Sequence, residues 1–97
     1  MVATLPQLEI LSYLIEHKKN LIMSSISVAD LEFGLREDPN CTSYSSAVIR
    51  KALDGLLAFK LVAYGVKVGA TYTYYVTAGG IEYFKYASGQ STPSTKK

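Results

Sequence analysis

Cysteine occurs once in this chain, at Cys41, and histidine once, at His17. A single cysteine excludes an internal disulfide and a thiolate metal cluster. One histidine and no close pair of carboxylates leave no metal-binding spacing and no nucleophile with an adjacent base. An enzyme is therefore not expected, nor a cofactor. No apolar run approaches the roughly 18–20 residues that span a bilayer. The opening "MVATLPQLEI" lacks a basic stretch followed by an apolar one, so no secretory signal is expected. Excess charge is lacking as well. Lys96 and Lys97 supply the whole net charge of +2, and residues 1–95 carry eight basic and eight acidic side chains. The expectation is a soluble, cytoplasmic protein with no membrane partner.

Two further scarcities bear on chemistry. "GVKVGATY" lacks the Gly-Lys-Ser/Thr ending of a phosphate loop. "YYVTAGGIEYF" reads as strand, glycines and helix, but no second parallel strand follows to make a nucleotide fold. Amides number four (Gln7, Asn20, Asn40, Gln90), a trait shared with thermophile proteins. Cys41 then has two readings: an inert free thiol, or an intermolecular disulfide across a dimer axis, a bond that persists in a hyperthermophile's cytoplasm.

What is present suits one domain with a modest core: 97 residues, 48% of them hydrophobic and 19% charged. The charge is locally polarised. Asp30, Glu32, Glu37 and Asp38 face Arg36 alone within residues 30–38, whereas Arg50, Lys51, Lys60 and Lys67 face Asp54 alone within residues 50–67. A local positive field can exist where the global one does not.

Thr4 and Gln7 have the spacing of a capping box, and Leu8, Leu11, Leu14 and Ile15 lie on one helical face, predicting a first helix over about 5–18. His17, Lys18 and Lys19 fall at its end, where positive charge complements the helix dipole. "NLIMS" reads as a small strand. Ser27 and Asp30 open a second short helix to about Arg36, with Val28, Leu31 and Leu35 inward. "EDPNCTS" is turn chemistry. A third helix is expected from Ser43 or Tyr44 to Phe59, with Ser45, Ile49, Ala52, Leu53 and Leu56 on one side. Lys60–Val66 and Thr71–Thr77 read as strands joined at "KVGA". Thr77 is placed to cap a last helix carrying Ile81 and Phe84. "SGQSTPSTKK" reads as a flexible tail. The division expected is one domain over 1–87 and a tail over 88–97. The fold class is α+β, a helix-turn-helix followed at once by a β-hairpin wing and a C-terminal helix.

"SSAVIRKALDGLLAFKLV" resembles the recognition helix of winged-helix transcription regulators, and "YTYYVTAGG" resembles their last wing strand and its turn into the C-terminal helix. The resemblance covers roughly residues 5–87 and is nearest the MarR- and PadR-like group and the small winged-helix proteins of archaea and their viruses. Two departures stand out: Lys60 where the family usually has glycine, and Gly79 beside the expected Gly80. The resemblance implies double-stranded DNA as partner, the third helix in the major groove, and the wing on the backbone or minor groove. It also implies a homodimer built from the first and last helices.

Phosphates and base edges are met by hydroxyls and basic groups. Ser43, Tyr44, Ser46, Ala47, Arg50 and Lys51 on the third helix, with Lys67 and Thr71 on the wing, are the candidate DNA contacts. Arg50 has the planar fork that can pair with guanine; Lys51 suits a phosphate. Ile10, Tyr13, Ile81, Tyr83, Phe84 and Cys41 are the candidate dimer contacts, with ordinary core packing as the other reading of the apolar ones. A protein-interaction module is the alternative function, since tyrosines suit protein interfaces and Tyr64, Tyr72, Tyr74 and Tyr75 lie in or beside the wing. Nothing in the residues identifies a small-molecule effector.

Overall fold

The computed structural model describes residues 3–39 and 41–88. Its elements are α1 (Leu5–Glu16), a 3-10 turn (Ile22–Ser24), β1 (Ile26–Ser27), α2 (Val28–Glu37), α3 (Ser46–Ala58), β2 (Val62–Tyr64), β3 (Thr73–Val76) and α4 (Ala78–Ser88). The three strands are antiparallel in the order β1-β3-β2, pairing Ile26 with Tyr74 and Val62 with Val76. This is the winged-helix arrangement. The tail expected over 88–97 lies outside the described residues, save Ser88, which ends α4.

Each helix begins where a hydroxyl takes up an orphan amide. Thr4 and Gln7 form the reciprocal box: Gln7 N–H donates to Thr4 Oγ1 at 3.4 Å, and Thr4 N–H to Gln7 Oε1 at 2.9 Å. Gln7 Nε2 then reaches Ala52 O on α3, 3.4 Å away. Ser27 accepts from Asp30 N–H at 3.2 Å and Ser45 from Val48 N–H at 3.3 Å. Thr77 accepts from Gly80 N–H at 3.1 Å, and its own Oγ1 lies 2.8 Å from Lys60 O.

The two long helices end alike. Lys60 N–H bonds Leu57 O and Leu61 N–H bonds Leu56 O, at 3.0 and 2.9 Å; Lys18 and Lys19 do the same to Ile15 and Leu14. This is the Schellman closure, whose turning residue is left-handed and usually glycine. Here both turning residues are lysines, with φ 57° at Lys18 and 61° at Lys60. The departure at Lys60 thus keeps the geometry and accepts the steric cost of a Cβ.

The "NLIMS" strand is not formed. Ser24 Oγ lies 3.1 Å from Lys18 O and from Leu21 O, and Ser25 Oγ lies 2.8 Å from Ile22 O, so local side-chain bonds close a turn. The strand comes two residues later, at Ile26. Leu21, Ile22 and Met23 stay exposed, Met23 at 87%.

The core joins Ile10, Leu11 and Leu14 of α1 with Leu31 and Leu35 of α2, and Ile49, Leu53 and Leu56 of α3, to Val62, Tyr74 and Val76 of the sheet. Val76 N–H bonds Lys19 O at 2.8 Å, fastening the end of α1 to β3. The helix-turn-helix and the wing are therefore fixed to one scaffold, which sets where α3 and the hairpin stand relative to each other.

Candidate nucleic-acid interface

The turn into α3 is pinned from α1. Glu9 accepts Thr42 N–H at 2.7 Å and Tyr44 O–H at 2.5 Å, so Tyr44 is half-buried with its hydroxyl engaged inside the chain. Burial, then the bond to Glu9, raises the Tyr44 phenol above its ordinary pKa. Tyr44 thus orients the helix start, and its hydroxyl proton is engaged by Glu9. Ser43, Ser46, Ala47, Arg50 and Lys51 are exposed.

Arg50 and Asp54 of α3, Val28 and Ala29 at the start of α2, and Ala70, Thr71, Tyr72 and Tyr74 of the wing line an open cleft of ≈ 480 Å³. Arg50 and Thr71, both singled out in the sequence, are thereby brought to one space. Lys51 is on the other flank of α3. It borders an apolar groove of ≈ 490 Å³ with Thr4, Pro6, Gln7, Val48, Ala52 and Gly55. Lys67 rests over the Tyr72 ring, with Nζ 4.8 Å from its centroid, a cation–π distance. Arg50 lines the cleft from the helix, and Lys67 packs on Tyr72, one of the wing residues that line it. Arg50, Lys51 and Lys67 have no ion pair among the described residues; Arg36 pairs with Glu32 at 3.0 Å.

Asp54 was not singled out, although it lies four residues after Arg50, the spacing that places two side chains side by side on a helix. Its carboxylate shares the cleft with Arg50, and both act on Tyr74. Burial raises the Tyr74 phenol first, with Tyr64 and Asp54 adding and Arg50 opposing. Glu9 gave no signal in sequence, since its partners are 33 and 35 residues away.

The candidate dimer residues divide. Ile10 is 0% exposed and Tyr13 is buried within the single chain, which fits the core-packing reading of these two residues. Tyr13 packs its ring on His17 at 4.1 Å, and its hydroxyl occupies the space that a Cβ at Gly34 would need. Ile81, Tyr83 and Phe84 are half-buried against the core, and Tyr83 Oη accepts Ala3 N–H at 3.1 Å. Cys41 is half-buried too; burial, then Asp38, pushes its thiol up to about 11. Such a thiol stays protonated near neutrality, which disfavours disulfide chemistry. The more strongly exposed apolar residues among the described ones are others: Leu5, Leu21, Met23, Phe33, Val68 and Tyr86.

No protein-family model matches the chain, and no curated protein does. Among solved structures it is similar to TubR from Bacillus megaterium pBM400. The two are 24% identical over 88% of this chain and 86% of that one, with a TM-score of 0.70. That likeness concerns shape, and it agrees with the winged-helix fold described above.

Proposed function

We propose that this chain is a sequence-specific double-stranded DNA-binding protein acting as a homodimeric transcription regulator, with α3 in the major groove and the wing on the backbone or minor groove. The observation that carries this reading is the shared cleft: Arg50 on α3, with no ion pair among the described residues, and Thr71 and Tyr72 on the wing border one space, with Lys67 packed on Tyr72. A helix donor for base edges and a wing cation for phosphates are the two parts such recognition needs. Ser43 and Ser46, exposed at the start of α3, add hydroxyls at the end of the helix that enters the groove first.

The dimer follows from charge. Residues 1–95 carry no net charge, and Arg50, Lys51 and Lys67 are few. Nonspecific affinity scales with the phosphates neutralised, so one copy holds DNA weakly. Two copies double the contacts and set two α3 helices about 34 Å apart, one duplex turn.

One observation favours the protein-docking alternative: Tyr64 and Tyr72 are half exposed, with their rings 4.9 Å apart. Against it, Arg50 and Lys67 form no ion pair among the described residues, although Asp54 shares the cleft. Selection from random duplexes at near-physiological salt, on protein of measured solution mass, separates the two. The DNA reading expects a dimer mass and enrichment of a pseudo-palindrome with half-sites about one turn apart. A monomer that enriches nothing contradicts it.

A further inference from the structure

The wing contains an irregularity that decides where its cation points. Tyr64 pairs with Tyr74, and farther out Val68 pairs with Thr71. Between these pairs the outgoing arm has residues 65, 66 and 67, and the returning arm only 73 and 72. One outgoing residue is extra, which makes a β-bulge at Gly65–Val66 opposite Thr73. Gly65 N–H keeps a ladder bond to Thr73 O at 2.8 Å.

Val66 is left without a backbone partner across the hairpin, and two hydroxyls take up its groups. Val66 N–H donates to Ser25 Oγ at 3.2 Å, and Thr73 Oγ1 donates to Val66 O. The two hydroxyl oxygens are 2.8 Å apart. Ser25 is itself held by the turn before β1, 2.8 Å from Ile22 O. Gly65 makes room for this approach: a Cβ there would sit 2.2 Å from both Cβ and Oγ of Ser25.

The bulge changes the face on which Lys67 appears. Side chains alternate along a strand, so Tyr64, Tyr72 and Tyr74 share one face. In an unbroken ladder Lys67, three residues beyond Tyr64, would fall on the opposite one. The extra residue inverts the alternation and brings Lys67 over Tyr72, beside the cleft that Arg50 enters.

We propose that Ser25 is a positioning residue for DNA recognition: by holding the Gly65–Val66 bulge, it puts Lys67 on the face of the wing that meets the phosphate backbone. This rests on the duplex-binding reading above. Ser25 touches no ligand. It acts through Val66 and Thr73.

The test uses the full chain and two readouts. In the free protein, ring-current shifts of the Lys67 methylenes report their contact with Tyr72. They are expected upfield in the parent and in Thr73→Ser, which keeps the hydroxyl. In Ser25→Ala and Gly65→Ala they are expected to return to random-coil values while the helix amide signals persist. Gly65→Ala displaces Ser25 without deleting it, so it serves if Ser25→Ala fails to fold. On a duplex that the parent binds, Lys67→Ala is expected to weaken affinity severalfold and reduce the salt slope by about one. Ser25→Ala should reproduce that loss, and Ser25→Ala with Lys67→Ala should bind no worse than either alone. Unchanged Lys67 shifts in Ser25→Ala, or losses that add in the double variant, overturn the proposal. If the parent binds no duplex, the functional reading fails by itself, and the free-protein shifts still decide whether Ser25 places Lys67.

Discussion

Lys18 and Lys60 hold backbone conformations that glycine adopts more cheaply. Each closes a Schellman turn with positive φ, and the closing bonds do not involve the side chain. Lys60→Gly is therefore expected to raise unfolding free energy by up to about 1 kcal/mol, as judged by urea denaturation. Gly79 and Gly80 separate by the same reasoning. A Cβ at Gly79 meets nothing nearer than 3.7 Å, while one at Gly80 would lie 2.0 Å from Leu61 O. Gly79→Ala should stabilise by about 0.5 kcal/mol through the unfolded state, whereas Gly80→Ala should destabilise as α4 is pushed off Leu61 and Val76. Cys41 gives a pH signature. Its thiol is raised from 9.0 to about 11 in the folded chain, so the unfolded chain releases the proton first. Stability should accordingly fall as pH rises from 9 to 11, and Cys41→Ser should flatten that decline in denaturation curves. The doubled glycine and the lysine at the helix end were visible in the sequence. Which of them costs stability was not, because that depends on Leu61 O and on the sign of φ.

Among the elements, the helices were the most legible. Their apolar spacing and the caps at Thr4, Ser27 and Thr77 give three starts directly, and the third helix begins two or three residues later than expected because Ser45 serves as its cap. The first strand was misplaced. The apolar run "NLIMS" reads as a small strand, but the hydroxyls of Ser24 and Ser25 close local turns and leave Leu21, Ile22 and Met23 in solvent. The wing arms were expected too long, since the bulge interrupts pairing between Tyr64 and Val68. Of the candidate site, Arg50 and Thr71 line one cleft. The sequence could not show that Tyr44 turns inward to Glu9 or that Lys51 takes the far flank of α3, because helical spacing fixes angles about an axis and not what packs beside it. The functional prediction at this scale concerns α3. Arg50→Ala should cost about 1–3 kcal/mol of specific binding and relax preference at one base position, read by binding to single-substitution duplexes.

For the whole molecule, a neutral body with Arg50 in the cleft, Lys67 packed on a tyrosine that lines it and Lys51 on the other flank of α3 gives, under the proposed DNA reading, modest affinity per copy. Of the candidate dimer contacts, Ile10 and Tyr13 complete the core of a single chain. The exposed apolar side chains Leu5, Phe33 and Tyr86 lie on three different helices. The central claim is that α3 and the wing grip phosphates of one duplex together. The most direct measurement is the duplex binding constant of the intact protein as a function of salt. If a dimer neutralises roughly six to eight phosphates, log K falls against log salt with a slope of about −5 to −7, and Lys67→Ala makes that slope shallower. A binding constant that does not move with salt contradicts the account.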